Sequence, residues 1–152
     1  MGRALAEAAL QLKHEVVIVS GPVEVDYPSQ AKVIPVISTE EMLTAATEVF
    51  ASCDGLIGAA APCDYRPRRV ASQKITKTGE PLALELVETD DVVATLANEK
   101  KDRWVVGFAL ETQDVRLRAL AKLEHKCCDL MVSNHATAMR SQTNNVEVLA
   151  PD

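Results

Sequence analysis

The sequence lacks the signals of several specialised protein classes. None of its apolar runs approaches the roughly 18 residues needed to cross a bilayer, and it has no internal repeat, low-complexity segment or interdomain linker. The opening stretch MGRALAEAALQLKHE is an amphipathic helix containing acids, unlike a secretory signal or a transit peptide. We therefore expect a single domain over residues 1–152 without a membrane segment.

Positive charge is in the minority. The chain has 16 lysines and arginines against 22 acids, which gives a net charge of −6. That balance argues against non-specific binding to nucleic acid or to an anionic membrane. With 47% hydrophobic and 25% charged residues, the composition is that of an ordinary globular protein.

Metal-binding and disulfide patterns are also missing. The four cysteines form no CxxC motif, and no histidine lies at metal-ligand spacing from them. We expect the adjacent Cys127 and Cys128, which close a predicted helix, to pack as small hydrophobic residues, as free thiols do. The lack of these patterns favours a reducing cytosolic location. The cysteines are Cys53, Cys63, Cys127 and Cys128.

Two nucleotide-binding fingerprints are absent. No GxGxxG follows a predicted strand, which counts against an NAD(P)-binding dehydrogenase module. No GxxxxGK[ST] occurs either, which excludes a P-loop protein.

Helical and strand patterns alternate along the chain, which predicts an α/β fold. The expected architecture is a doubly wound, mostly parallel sheet with helices on both faces, Rossmann-like but without GxGxxG. The chain begins in a helix, whereas such folds usually begin with a strand whose turn binds phosphate; we therefore expect it to be part of something longer. The patterns predict helices near 2–13, 38–54, 90–100 and 115–127, strands near 16–19, 32–37, 56–61, 82–87, 104–110, 130–133 and 144–149, and an irregular stretch at 62–81.

A basic loop follows the third predicted strand. Between Tyr65 and Gly79 there are five cations and no acid, and open α/β sheets bind ligands at the carboxyl ends of their strands. Arginine and lysine suit phosphate oxygens, and Asp64 is placed to hold a divalent cation on a polyphosphate. The alternative is a solvated loop in which Asp64 pairs with an arginine. The cations are Arg66, Arg68, Arg69, Lys74 and Lys77.

Other candidates have an ordinary structural alternative. Lys122 and Lys126 share one helix face, which is either a site or a solvated surface. Asp90 and Asp91 are favourable acids at a helix start, and Phe108 lies in an apolar strand typical of a core.

Nine stretches of the sequence together carry a resemblance to one family. They are MGRALAEAA, VVIVSGPV, STEEM, GAAAPCDYRP, KITK, ETDDVV, VVGFALET, KLEHKCCDLMVSN and SQTNNVEVL. Their order and spacing over nearly all 152 residues are similar to those of the phosphopantothenate–cysteine ligase (phosphopantothenoylcysteine synthetase) domain of the bacterial bifunctional coenzyme A biosynthesis flavoprotein.

The resemblance implies a cytoplasmic enzyme that uses CTP as co-substrate and Mg²⁺. Such ligases activate 4′-phosphopantothenate as an acyl-CMP, and cysteine then attacks to give 4′-phosphopantothenoylcysteine. The resemblance further implies a homodimer, no flavin in this chain, and a decarboxylase domain that this chain does not contain. A ligase fragment that binds nucleotide or a partner chain without catalysis, an NAD(P)-binding module and a plain interaction domain remain alternatives.

Site residues follow from the same resemblance. Lys74 matches the family's active-site lysine, and Asp64 matches the acid beside the triphosphate and metal. Nucleotide-binding positions are matched by Gly58, Ala59, Ala60, Asp64, Lys74, Asp90, Asp91, Val92, Val93, Phe108, Lys122 and Lys126.

The sequence also departs from the family pattern. The family's segment before MG, with a catalytic Asn and a Ser-Ser-Gly-Lys stretch, has no counterpart here, and neither has its last helix. Asp90 stands where proline is common, and Met139 and Gln142 replace Phe and Asp. The added charge of Asp90 weighs against a nucleotide contact at that position.

Overall fold

Helices and strands alternate in nearly the predicted order. The structure is a computed structural model that describes residues 1–111, 113–135 and 144–151. The helices are α1 (Gly2–Gln11), α2 (Thr39–Phe50), α3 (Val92–Asn98) and α4 (Val115–His125). The strands are β1 (Val17–Ser20), β2 (Lys32–Pro35), β3 (Gly55–Gly58), β4 (Tyr65–Pro67), β5 (Leu86–Glu88), β6 (Trp104–Glu111), β7 (Leu130–His135) and β8 (Val146–Leu149).

The strands of the described residues form three sheets. The largest has the order β3-β6-β7-β8, in which β3, β6 and β7 are parallel and β8 is antiparallel to β7. A second sheet pairs β1 with β2 in parallel, and a third pairs β4 with β5 antiparallel. In the described part of the chain, no helix has the length and apolar content to cross a membrane.

The β4–β5 ribbon corrects two sequence expectations. The stretch 62–81 was expected to be irregular, but it contains β4, whose Tyr65 pairs with Glu88 of β5. The strand expected at 82–87 begins only at Leu86. Leu82 and Leu84 are each 65% exposed, so the apolar face of the predicted strand does not pack on the core. Residues 65–88, which we call the arm, project their apolar side chains into solvent.

One face of the largest sheet carries the core. Side chains alternate across a strand, and Val105 and Ala109 of β6 are fully buried together with Met131 of β7. Leu96 of α3 and Leu123 of α4 pack into the same cluster. The two helices therefore cover this face and fix the carboxyl ends of β3 and β6.

The start of α2 follows the sequence prediction. The Ser38 hydroxyl accepts a hydrogen bond from the Glu41 amide at 3.1 Å. The Glu41 carboxylate in turn accepts one from the Ser38 amide at 3.3 Å. This reciprocal capping box satisfies two amides that have no partner within the helix.

The cysteines are all free thiols, and only some of them pack as expected. Cys128 is buried and Cys53 is partly buried. Cys63 and Cys127 are exposed, so the packing expectation is confirmed for Cys128 and was wrong for Cys127. Cys127 has a φ of 53°, because the chain turns sharply there between α4 and β7.

A carboxylate ties the start of β7 to its surroundings and leads to a pH prediction. Asp129 accepts hydrogen bonds from the Lys100 ammonium and the Val105 amide, both at 2.7 Å. Burial raises the pKa of Asp129, but these two donors outweigh it and hold that pKa below 3.8. Because the folded pKa is the lower one, the stabilisation is present above pH 3.8 and is lost as pH falls through the folded value.

We expect Asp129→Asn to lower the free energy of unfolding by about 1 kcal/mol at neutral pH. The effect is modest because the Asp129 side chain is 44% exposed and solvent screens the ion pair. The deficit should shrink below pH 3.8, as urea denaturation at a series of pH values would show. Lys100→Met, which removes the other partner of the same ion pair, is the matched variant. A deficit that does not change with pH would contradict this account.

Candidate functional site

A pocket opens at the carboxyl ends of β3 and β6. Its volume is about 370 Å³, near the lower end of the range for ligand sites. Its walls come from the end of β3, the turn that carries Asp64, the start of α3, and Gly107 and Phe108 of β6. This is the edge at which the sequence predicted a ligand site.

A close contact between β3 and α3 explains the glycine at the pocket wall. A Cβ atom on Gly58 would lie 2.5 Å from Cγ2 of Val93, well inside van der Waals contact. A side chain at this position would force Val93 to shift, so the glycine lets the start of α3 lie close against the end of β3. The amide of Ala59 donates to the carbonyl of Ile57 at 3.1 Å and turns the chain away from the strand.

The residue before α3 links the helix to the opposite wall. Asp91 accepts a hydrogen bond from the Ala94 amide at 3.0 Å and pairs with the Lys126 ammonium at 2.8 Å. Burial raises the pKa of Asp91, but the Ala94 hydrogen bond and Lys126 outweigh it and lower that pKa below 3.8. Asp91 is therefore ionised at neutral pH and holds Lys126 at the pocket.

The pocket walls are rich in acid. Asp64, Glu88, Asp90 and Asp91 all line it, and Lys126 is the cation among its described lining residues. Like charges at short range repel strongly in a partly desolvated site. A polyphosphate bound here would need further cations, from a metal ion or from a basic segment that closes over it.

Most of the residues singled out from the sequence meet at this pocket. The turn with Asp64 is held by the Thr89 amide, which donates to the Asp64 carbonyl at 2.9 Å. Ala59, Lys74 and Lys122 are not among the lining residues. The predicted residues that line it are Gly58, Ala60, Asp64, Asp90, Asp91, Val92, Val93, Phe108 and Lys126.

Some lining residues were not foreseen. Tyr65, Glu88 and Thr89 reach the pocket because β4 pairs with β5 and brings the two ends of the arm together. The pairing itself could not be predicted, because the Tyr-Arg-Pro and Leu-Val-Glu runs are short and lie far apart in the sequence. All of the unforeseen lining residues lie in quoted motifs but were not proposed as site residues; they are Pro62, Cys63, Tyr65, Glu88, Thr89 and Gly107.

Lys122 and Lys126 contact different acids. Lys122 lies 2.6 Å from the Glu111 carboxylate, whose side chain is 10% exposed at the end of β6. Arg118 approaches the same carboxylate at 3.9 Å. Lys122 thus neutralises a nearly buried charge, while Lys126, the C-cap residue after α4, lies at the pocket. The nucleotide contact that the resemblance implies for Lys122 is untested, and its ion pair with Glu111 favours a structural role instead.

The basic arm is anchored by ion pairs with glutamates. Arg66 pairs with Glu40 in the first turn of α2, and Arg68 pairs with Glu85 across the ribbon. Neither ion pair involves Asp64. The alternative in which an arginine neutralises Asp64 is therefore wrong for Arg66 and Arg68. Lys74 lies in the exposed connection between β4 and β5. Exposed ion pairs of this kind contribute little to the free energy of unfolding, and their side chains can exchange partners.

The donor set at the pocket suits a metal ion that arrives with its ligand. Among residues 1–111, 113–135 and 144–151, no group of three or more Cys, His, Asp or Glu residues could hold a metal ion. Asp64 nevertheless offers a carboxylate to the pocket. Mg²⁺ commonly takes one or two carboxylates together with substrate phosphates, so Asp64 fits that mode.

Comparison with known proteins agrees with the resemblance. Residues 1–152 match the family described as "DNA/pantothenate metabolism flavoprotein C-terminal domain". The chain belongs to this family. It is also 40% identical over 157 residues to the coenzyme A biosynthesis bifunctional protein CoaBC of Bacillus subtilis (strain 168). That alignment covers 100% of this chain but 39% of the relative, so the chain spans well under half of that protein's length.

Solved structures confirm the Rossmann-like α/β class. The C-terminal domain of a CoaBC protein superposes with a TM-score of 0.80 at 32% identity, covering 99% of this chain and 71% of that one. The DNA/pantothenate metabolism flavoprotein of Streptococcus pneumoniae superposes with a TM-score of 0.78 at 17% identity, covering 98% and 80%. The second likeness concerns the fold alone. Met139 and Gln142, where the sequence departs from the family pattern, lie outside the described residues.

Proposed function

We propose that the pocket binds a nucleoside triphosphate and that the chain supplies the ligase step of coenzyme A biosynthesis. The observation that carries this proposal is the convergence of Gly58, Asp64, Asp91 and Lys126 on one pocket at the carboxyl end of the sheet. The resemblance assigns these residues to nucleotide and metal positions, and the Bacillus subtilis relative is named for coenzyme A biosynthesis.

The proposed reaction joins 4′-phosphopantothenate to cysteine at the expense of CTP. A carboxylate oxygen of 4′-phosphopantothenate attacks the α-phosphorus of CTP, and the bond to the β-phosphate breaks to release pyrophosphate. The amine of cysteine then attacks the acyl carbon of the resulting acyl-CMP. The bond from that carbon to the CMP oxygen breaks, the amine loses a proton, and 4′-phosphopantothenoylcysteine and CMP leave.

Small residues and cations have separate roles in this proposal. Gly58 and Ala60 leave room for the nucleotide to approach the backbone. Lys126 exchanges part of its contact with Asp91 for a phosphate oxygen, which is a gain because phosphate carries more charge. Lys74 offsets the charge that builds on the phosphates in the transition state once the arm closes over the pocket.

Asp64 would hold Mg²⁺ on the phosphates of the nucleotide, where the metal makes pyrophosphate a better leaving group. The acids around the pocket favour such a role, because they repel a bare triphosphate but attract one that carries a divalent cation. Binding of CTP should therefore depend strongly on Mg²⁺.

A homodimer and a cytoplasmic location belong to the same proposal. Val70 is 89% exposed and Leu82 and Leu84 are each 65% exposed, so the arm offers apolar side chains that a second copy of the chain could cover. A decarboxylase domain would be contributed from outside these 152 residues, and no flavin is expected in this chain.

A second candidate is a ligase-type domain that binds nucleotide without catalysis. The placement of Lys74 favours it, since this lysine lies in the exposed arm and not among the residues lining the pocket. Binding and turnover must therefore be measured separately.

The first test is thermal unfolding with Mg²⁺ and CTP, compared with ATP and GTP. A ligand at 100 times its Kd adds about 2.7 kcal/mol to the free energy of unfolding. We expect a CTP-selective shift that disappears in Lys126→Ala, because Lys126 is the cation at the pocket. Lys122→Ala should lower the stability of the unliganded chain, since it leaves Glu111 with the more distant Arg118, yet retain the CTP shift.

The two lysine variants make the result decisive. Loss of the shift in Lys122→Ala with retention in Lys126→Ala would reverse the assignment and move the nucleotide away from this pocket. No shift with any nucleotide would contradict the proposal for this chain. A shift without pyrophosphate release in the presence of all three substrates would favour the non-catalytic candidate.

A further inference from the structure

Thr89 holds the turn that carries Asp64 through two hydrogen bonds. Its amide donates to the carbonyl of Asp64 at 2.9 Å, and its side-chain hydroxyl donates to the carbonyl of Cys63 at 2.5 Å. These carbonyls belong to the two peptide groups that flank the Cα atom of Asp64. Thr89 therefore fixes the backbone on both sides of that residue, although the family resemblance assigns Thr89 no role.

The amide bond of Thr89 belongs to the β4–β5 ribbon, whereas the hydroxyl bond does not. Tyr65 of β4 pairs with Glu88 of β5, so the antiparallel register places Asp64 opposite Thr89, one position beyond the strands. Any residue except proline could donate the amide bond at this position. The bond to the Cys63 carbonyl needs a short side chain that ends in a donor, which a threonine or serine hydroxyl supplies.

Thr89 also connects this turn to the cation of the pocket. Asp91, two residues further on, caps α3 and pairs with the Lys126 ammonium at 2.8 Å. The segment 89–91 therefore contacts both sides of the pocket, the Asp64 turn at one end and Lys126 at the other. A shift of the turn against this segment would change the spacing between the Asp64 carboxylate and the Lys126 ammonium, the groups proposed for metal and phosphate.

We propose that the Thr89 hydroxyl is a positioning group, which orders the Asp64 turn and thereby sets the affinity of the pocket for a divalent cation on nucleotide phosphates. This inference rests on the proposed function, in which Asp64 holds Mg²⁺. Mg²⁺ demands nearly ideal octahedral geometry and takes only one or two carboxylates, so a displaced carboxylate is a poor ligand. Hydrogen bonds that orient metal ligands typically change metal affinity about 10- to 100-fold when they are removed.

The two hydrogen bonds lie near the surface, so loss of the hydroxyl should affect the fold little. Cys63 and Asp64 are exposed, and Thr89 is only partly buried. Water can therefore hydrogen-bond the Cys63 carbonyl once the hydroxyl is gone. The expected effect is on the order of the turn and on metal affinity.

The test compares Thr89→Val, which keeps the shape of the side chain but removes the hydroxyl, with Thr89→Ser, which keeps the hydroxyl. The CTP-induced rise in unfolding temperature is measured against Mg²⁺ concentration at a fixed CTP concentration. We expect the Mg²⁺ concentration at half the full rise to increase at least about tenfold in Thr89→Val and to stay within about threefold in Thr89→Ser. Formation of Mg²⁺–CTP in solution is the same for every chain, so a difference between chains reports on the pocket.

Thr47→Val is the matched control for loss of a hydroxyl. The Thr47 hydroxyl also donates to a carbonyl, that of Leu43 at 2.8 Å, but it does so on α2, which supplies no described lining residue of the pocket. This variant should keep the Mg²⁺ dependence of the parent chain. An equal change in Thr47→Val and Thr89→Val would contradict a specific role for Thr89.

Amide hydrogen exchange gives a second readout that needs no nucleotide. Protection of the amide at position 89 should fall at least about tenfold in Thr89→Val, because the turn that accepts its bond opens more often, and Thr89→Ser should restore it. The Thr95 amide, which donates to the Asp91 carbonyl at 2.9 Å within α3, is the internal control and should keep its protection. Unchanged protection at position 89 in Thr89→Val would refute the ordering step.

The outcomes distinguish this inference from the proposed function. The same Mg²⁺ dependence in the parent chain and in Thr89→Val would overturn the role of Thr89 and leave the proposed function in place. An equal loss in Thr89→Ser and Thr89→Val would also overturn it, because the hydroxyl would not be the acting group. No CTP-induced rise in the parent chain at any Mg²⁺ concentration would overturn the proposed function and this inference with it.

Discussion

Lys74→Ala should lower the rate of CTP-dependent pyrophosphate release about 10²- to 10³-fold while changing CTP affinity little. The reason is where Lys74 lies. It is in the exposed connection of the arm and not at the pocket wall, so it contributes little to the bound ground state. On closure of the arm it would meet charge that develops on the phosphates, and an interaction made only in the transition state affects turnover and not binding.

The arm offers a matched control for this experiment. Lys77 lies three residues further on in the same exposed connection and carries the same charge. Lys77→Ala should leave turnover within about twofold if the position of Lys74, and not the net charge of the arm, determines the rate. Measuring the CTP-induced thermal shift on each variant separates binding from chemistry. Full turnover by Lys74→Ala would remove this lysine from the proposed mechanism.

Local signals in the sequence predicted the elements that depend on neighbouring residues. The helix start at Ser38 was predictable because the capping box is built from residues three apart. The position of the pocket was predictable because ligand sites in parallel sheets lie at carboxyl ends of strands. Gly58, Asp64 and Asp91 could therefore be brought together from the sequence and the family pattern.

Features set by distant partners could not be predicted in the same way. Lys122 and Lys126 are equivalent by helical spacing, and only the acids opposite them, Glu111 and Asp91, distinguish their contacts. Pairing of β4 with β5 joins residues 19 to 23 apart in the sequence and rests on three register positions.

Leu123→Ala should lower the free energy of unfolding by about 2 to 5 kcal/mol. Leu123 is 2% exposed and packs on the buried face of β6 and β7 through the cluster that contains Val105 and Met131. Alanine removes the contacts of the missing atoms and leaves a cavity, because the fully buried neighbours are held by the sheet and cannot all move inward. Urea denaturation of the variant and the parent chain measures the difference.

The same helix provides the control. Leu117 lies on α4 but is 71% exposed, so Leu117→Ala should change stability by less than about 0.5 kcal/mol. A large effect at both positions would mean that solvent-facing residues of α4 are covered in solution. A small effect at Leu123 would mean that α4 is not fixed on the sheet. Since α4 also carries Lys126 to the pocket, a loosened α4 should weaken the CTP-induced shift as well, at a position that does not touch the pocket.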